Sequence, residues 1–243
     1  MICFMSLLGY AQTLDSLFTK ANKLYQEESY MEALKFYQEI DNKQVESGAL
    51  YYNMANIYYK TNQVAPAIYY YEKALKLEPN NKDIKFNLGF AQQMTLDNIE
   101  ALPKSLGQRF RDNIILKWTY NTWAIIAVSL AFVFALLFLL YHFSYSTGKK
   151  RVYFITSILT VVFVSLSIFF AMKNYHYIKT TKTAIIFVPQ TKVKSAPTKT
   201  SDVNFELHEG TKVYILETLD NWRKIKIADG KTGWMDVEDL KEL

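Results

Sequence analysis

Two stretches, Trp123–Phe143 and Val152–Met172, contain no Asp, Glu, Lys or Arg and consist mostly of branched aliphatic and aromatic residues. A helix of about 20 such residues crosses the hydrocarbon core of a bilayer. Only residues 144–151 separate the runs, so together they predict a membrane hairpin, with spans at 123–143 and 152–172 joined by a tight turn. The hairpin divides the chain into two polar parts of roughly 120 and 70 residues, each the size of a small domain. It also puts both parts on the same side of any membrane it crosses.

Charge decides which side. Lys149, Lys150 and Arg151 lie in the turn, against Arg109, Arg111 and Lys117 before the first span and Lys173, Lys179 and Lys182 after the second. The numbers tie, but the turn's charges are contiguous and closest to the apolar core, which places the turn in the cytoplasm and both polar parts outside. The net charge of +5 resides largely in these flanks, where retention near anionic lipid is the expected role and nucleic-acid binding is not. The N-terminus points the same way. "MICFMSLLGYAQ" is a short apolar run with Gly9 and Ala11 placed for cleavage before Gln12, so residues 1–11 read as a signal peptide, although they lack a basic start. The alternative is an apolar first helix that packs on the rest of the N-terminal part. Cys3 is the sole cysteine, which excludes an intrachain disulfide and a Cys-based zinc site.

Shifted by 34 residues, the N-terminal part repeats itself. Ala21-Asn22 returns as Ala55-Asn56, Leu24-Tyr25 as Tyr58-Tyr59, Ala33-Leu34 as Ala67-Ile68, Phe36-Tyr37 as Tyr70-Tyr71, and Asn53-Met54-Ala55 as Asn87-Leu88-Gly89. Small residues where helices cross, aromatics in the gaps and Pro79 closing the unit resemble the tetratricopeptide repeat, with Tyr51, Met54, Ala55, Tyr58, Ala67, Tyr71, Ala74 and Pro79 at the family positions of the middle copy. The first copy departs at Lys20 and Ile40 and lacks the proline, and the third shows only its first helix. Repeats are expected over 12–94, with units near 14–47, 48–81 and a partial 82–94. In the run Tyr69-Tyr70-Tyr71, Tyr71 is expected to face its own repeat, and Tyr69 and Tyr70 to face outward or the next repeat.

Such repeats stack into a solenoid with a concave face that binds extended peptides. The resemblance implies a groove lined by Phe18, Asn22, Tyr25, Tyr52, Asn56, Tyr59, Phe86 and Phe90, with the asparagines bonding a peptide backbone. The competing reading has Phe86 and Phe90 packing against the segment 94–106. Residues 95–122 connect the repeats to the membrane. Pro103 and Gly107 interrupt them, so a short helix, a break and an amphipathic approach are expected, with Trp118, Tyr120 and Trp123 in the interfacial belt.

After a linker at 173–182 the period changes from helical to alternating: Val213, Ile215, Trp222, Ile225 and Ile227, with Asp229-Gly230 as a hairpin turn. Residues 183–243, through Phe205, Leu207, Glu209-Gly210, Val213, Trp222, Asp229-Gly230, Gly233-Trp234 and Leu240, resemble bacterial SH3-like (SH3b) domains, which bind cell-wall peptides or protein segments or serve as spacers. Trp222 is a candidate ligand ledge; Trp222 and Trp234 are alternatively core residues of a small barrel.

His142, His176 and His208 share no local site, and no metal-binding spacing, phosphate loop or nucleophile elbow occurs. No enzyme, cofactor or metal is expected. The fold class is multi-domain: an α-helical repeat solenoid, two transmembrane helices and a small all-β SH3-like barrel. That order of parts resembles the BatE-type proteins of the Bacteroides aerotolerance (Bat) operon. The resemblance implies a membrane-anchored accessory protein beside von Willebrand A-domain proteins and a MoxR-type ATPase, in a system linked to stress or oxygen tolerance; the inner-membrane placement with both ends periplasmic rests on the charges and the signal peptide. The expected function is an interaction scaffold. The alternative is an envelope anchor whose SH3b domain binds peptidoglycan, and a signal-passing sensor has little support in the short turn.

Overall fold

The computed structural model describes residues 2–243, with side chains from residue 14 onward; the signal-peptide reading of residues 1–11 therefore falls outside the described side chains. The chain forms two compact units, one made of residues 1–102 together with Lys182–Leu243, the other of Pro103–Thr181.

The first unit begins with five helices: α1 (Ile2–Gln26), α2 (Tyr30–Asn42), α3 (Gly48–Lys60), α4 (Val64–Leu77) and α5 (Lys82–Gln93). They alternate as antiparallel pairs, and the sequence period recurs in the backbone. Glu28 and Asn62, 34 positions apart, each adopt φ 58° in the turn between the paired helices. Ser47 caps α3 by accepting from Leu50 N–H, and Asn81 caps α5 by accepting from Asp83 and Ile84 N–H. Helix α4 ends at Leu77, two residues before Pro79, whose missing N–H and ring bulk prevent continuation. Alanines 21, 33, 55, 65, 67, 74 and 91 are fully buried at the helix crossings, where a larger side chain would hold the backbones apart.

The three tyrosines of α4 are all buried. Tyr71 faces its own repeat, donating to Asn56 Oδ1 at 2.5 Å. Tyr70 faces back rather than outward or onward: it stacks on Tyr58 of its own repeat at 5.5 Å and reaches Asp41 of the preceding one at 3.2 Å. Tyr69 faces out of the repeats, but not to solvent; it meets Phe187 edge-on at 5.7 Å and lies under Lys241, both from the C-terminal part. Each of the three adjacent faces of α4 thus has something to cover.

That C-terminal part is one antiparallel sheet of seven strands: β1 (Lys182–Ile186), β2 (Gln190–Lys194), β3 (Val203–His208), β4 (Lys212–Leu219), β5 (Trp222–Lys226), β6 (Thr232–Asp236) and β7 (Leu240–Glu242), ordered β3-β2-β6-β5-β4-β1-β7. Ala184, Ile186, Val193, Leu207, Val213, Ile215, Ile225, Ile227, Met235 and Leu240 fill its core. Gly230, at φ 94°, makes the β5–β6 turn.

Sequence reading treated the repeats and the sheet as separate domains, whereas the structure joins them in one body. Ile185 is fully buried in the repeats' core while its neighbours Ala184 and Ile186 belong to the sheet's, so β1 serves both. Glu72, buried on α4, pairs with Lys212 at 2.6 Å. Residues 95–102 do not form the expected short helix; they run as a strap across the sheet, with Ile99 on its core and Leu102 N–H donating to Ala228 O at 3.1 Å. Asp97 anchors the strap: Oδ2 accepts from His208 N–H at 2.7 Å and Thr211 Oγ1 at 2.6 Å, and Oδ1 meets His208 Nδ1 at 2.7 Å.

The β3–β4 turn is wedged into this junction by Gly210. At φ 83°, a Cβ there would come within 2.8 Å of Thr95, 3.0 Å of Ile68 and 3.1 Å of Val64. Gly210→Ala is expected to cost about 1–3 kcal/mol, because it adds left-handed backbone strain to a clash with α4 and the strap. Thermal unfolding monitored by tryptophan emission checks this; an unchanged midpoint would mean that the junction yields freely.

In the second unit, Ser105 caps α6 (Leu106–Phe110) in a capping box with Gln108, and a π-helical turn follows at Arg111–Ile115. Then come α7 (Tyr120–Phe143) and α8 (Thr147–Thr180). These two helices pack along a seam of Tyr120, Trp123, Ala127, Leu130, Phe134, Leu137 and Tyr141 against Tyr153, Ser157, Thr160, Val164, Ser167, Ala171 and Asn174, each set more shielded than its neighbours. Alternating steps of three and four give a 3.5-residue period, the pattern of a left-handed antiparallel coil. Small and hydroxylated residues on α8 allow close approach, as between helices in lipid, and Ser157 and Thr160 return their hydroxyls to their own helix at 2.7 and 2.8 Å. The outer faces carry exposed Phe132, Leu136, Leu139, Phe163 and Phe169. By length and composition both helices are candidate membrane spans.

Candidate functional site

The 34-residue period produces a polar ladder inside the repeats. Tyr37 donates to Asn22 Oδ1 at 2.6 Å, and Asn53 Nδ2, from the next repeat, reaches both Asn22 Oδ1 and the Tyr37 hydroxyl at 3.1 Å. One repeat later, Tyr71 donates to Asn56 Oδ1 at 2.5 Å, while Asn87 Nδ2 reaches Asn56 Oδ1 at 3.1 Å and the Tyr52 hydroxyl at 2.9 Å. Burial pushes the Tyr37 hydroxyl up to about 12 and that of Tyr71 above its ordinary value, so both remain neutral donors.

The second rung opens into a concave cavity of ≈ 290 Å³ lined by Tyr25, Tyr52, Asn56, Tyr59, Lys60, Tyr71, Asn87 and Phe90. Five of the groove residues read from the sequence thus meet here: Tyr25, Tyr52, Asn56, Tyr59 and Phe90. Phe18 and Asn22 instead surround Tyr37 on the first rung. Phe86 stands beside the rim, 66% exposed and edge-on to Phe90 at 4.7 Å, so neither phenylalanine is buried under the segment that follows α5. Sequence reading missed Lys60, Tyr71 and Asn87. Asn87 had a visible signal, the recurrence of Asn53 after 34 residues, whereas nothing in the pattern marks Lys60.

Because the ladder holds Asn56 by its oxygen and Asn87 by its nitrogen, one half of each amide has no partner among the described residues: Asn56 Nδ2, able to donate, and Asn87 Oδ1, able to accept. A donor and an acceptor side by side match the C=O and N–H of an extended backbone, and the surrounding rings offer apolar contact. The cavity lining has one cation, Lys60, and no carboxylate. The Tyr30 hydroxyl beside Lys60 holds its ammonium above the ordinary value, and Lys60 Nζ lies 5.3 Å over the Tyr30 ring.

A second hollow, of ≈ 570 Å³, opens on the sheet, with Trp222 at one side and Thr191, Lys192, Lys194, Lys199, Glu206, Asp236 and Asp239 around it. Trp222 is half-buried, its ring 5.9 Å from Lys194 Nζ. Its carboxylates are partly engaged: Thr191 donates to Asp239 and Gln190 to Glu206, each at 2.5 Å. Trp234 is also half-buried, with Lys224 Nζ at 5.8 Å, and lies outside this hollow; neither tryptophan belongs to the buried core.

Two family models match parts of the chain: one described as "Tetratricopeptide repeat" over residues 49–81 and one described as "Bacterial SH3 domain" over residues 190–242. No curated protein matches it. The chain therefore carries both kinds of module, and modules of these kinds bind proteins or peptidoglycan.

Proposed function

We propose that this chain is a non-catalytic scaffold, anchored in the bacterial cytoplasmic membrane by its helical hairpin, that holds an extended segment of another protein in the repeat groove. The observation that carries this reading is the fixed pair of unpartnered amide groups, Asn56 Nδ2 and Asn87 Oδ1, set among aromatic rings in an open cavity. Both polar modules belong on the periplasmic side. That they share a side is supported by the repeats and the sheet forming one body; the periplasmic choice rests on the contiguous basic residues Lys149, Lys150 and Arg151 in the turn. The BatE-type order of parts suggests membership of a Bat-type stress or aerotolerance complex, with von Willebrand A-domain membrane proteins as candidate partners.

Crosslinking in intact cells, with separate recovery of solubilised membranes and purified cell wall, tests the proposal. Asn56→Ala with Tyr59→Ala is expected to weaken capture of specific membrane proteins about tenfold or more, the size of effect expected for losing a central contact worth more than 1.4 kcal/mol. Trp222→Ala should leave that capture unchanged. The second reading, an envelope anchor, has the Trp222 hollow as its specific support. Recovery with peptidoglycan that depends on Trp222 and not on Asn56 would establish it in place of the first.

A further inference from the structure

The hairpin does not leave its membrane-facing end bare. Residues 106–118 fold back against α8 just beyond its uncharged run, fastened there by Asn174, whose Nδ2 donates to Ile115 O at 2.9 Å and Trp118 O at 2.7 Å. Trp123 Nε1 adds a bond to the same Ile115 carbonyl at 3.0 Å, which turns its ring inward onto Phe170 at 5.0 Å. Tyr120 likewise packs on Tyr175 at 5.5 Å. Trp123 thus helps to seat this segment, while Tyr120 joins the two long helices. Arg111 lies 4.6 Å from the Tyr177 ring, completing the inner face.

Leu106, Phe110, Ile114 and Trp118 are exposed, spaced by four along the α6 helix, the π-helical turn and the three residues after it; Phe110 and Trp118 each rest one edge on the hairpin, against Phe170 at 6.3 Å and Trp123 at 6.0 Å. The charges beside them are unequal. Asp112, the acidic residue of the segment, is tied by Lys104 at 2.7 Å and Arg111 at 3.0 Å, while Arg109 and Lys117 have no acidic partner among the described residues. Helix length sets the depth. Asn174 lies two residues beyond Met172, where the uncharged run ends, and helix α8, at 34 residues, is about 50 Å long against a hydrocarbon core of about 30 Å. The segment therefore packs on the part of α8 that emerges from the apolar layer.

We infer that residues 106–118 form a collar lying in the bilayer interface, with Leu106, Phe110, Ile114 and Trp118 dipped towards the acyl chains and Arg109 and Lys117 on anionic headgroups. An apolar ridge flanked by free cations, at the mouth of a membrane hairpin, fits a lipid surface better than a protein groove, which would have to supply matching acids. The inference rests on the reading that the hairpin crosses a bilayer.

Site-directed spin labelling of the full chain in nanodiscs containing phosphatidylglycerol tests it, with Cys3→Ser as background. Labels at Leu106, Phe110 and Ile114 should show a ratio of oxygen to nickel-chelate accessibility several-fold above that at Lys82 on α5. Labels at Phe132 and Val162 on the hairpin report insertion independently, so low ratios there would sink the spanning reading itself. With those two in lipid, nickel access at the collar equal to that at Lys82 would overturn the inference. So would exclusion of both probes, which would mean that a protein covers the ridge. Arg109→Gln with Lys117→Gln should lower the ratio at Phe110 in these discs but not in phosphatidylcholine discs; no fall would overturn the anionic-lipid assignment.

Discussion

Replacement of Asp97 by alanine is expected to lower the stability of the body formed by repeats and sheet by about 2–4 kcal/mol, since three donors lose a charged acceptor at a largely desolvated site. The side chain is 11% exposed and receives the His208 N–H, the His208 ring nitrogen and the Thr211 hydroxyl. Burial alone would push the Asp97 carboxyl up, but bonds from Thr211 and His208 offset it and hold the group below its ordinary value. A carboxylate with a depressed folded-state pKa stabilises fully above its unfolded value of about 3.9, and the increment disappears as pH falls through the folded value. Wild-type protein should therefore lose this contribution as pH falls below about 3.9. Asp97→Asn should show neither the gain at neutral pH nor that step. Denaturant unfolding across pH 2.5–7 measures both, and parallel pH profiles for wild type and variant would exclude the anchoring role.

Tyr71→Ala should be more damaging, at about 3–5 kcal/mol, because it empties a fully buried aromatic site and strips Asn56 Oδ1 of one of its two donors. Tyr71→Phe separates the two effects. It keeps the ring and should cost only about 1–1.5 kcal/mol of stability. It also leaves Asn56 Oδ1 held by Asn87 alone, so binding in the groove should fall, though less steeply than for Asn56→Ala. Near-ultraviolet circular dichroism on heating gives the first quantity, and the crosslinking yield gives the second. A Tyr71→Phe protein that binds normally would mean that the ladder supports the fold without ordering the groove.

The parts of this structure that depend on local period were legible in the sequence. The repeat spacing, the small residues at crossings and the stop at Pro79 each follow from contacts within about 34 residues. The alternating strands and the Asp229-Gly230 turn have the same local origin. What could not be read was the pairing of distant surfaces. Tyr69 looks solvent-facing on the wheel of α4 because its cover, Phe187, lies far along the chain beyond both apolar helices. Asp97 sits in a stretch without periodicity, and its bonds all come from the end of β3 and the turn that follows it. For the groove, family likeness named five residues that line the cavity around Asn56, while Phe18, Asn22 and Phe86 stand apart from that lining.

The shared strand β1 has a consequence for biogenesis. Ile185 fills a place in the core of the repeats, yet it is synthesised only after both apolar helices. The N-terminal repeats must therefore wait, incomplete, while the hairpin is made. On the reading that the hairpin spans a membrane, insertion by one helix alone would strand β1 across the lipid from the helices it completes.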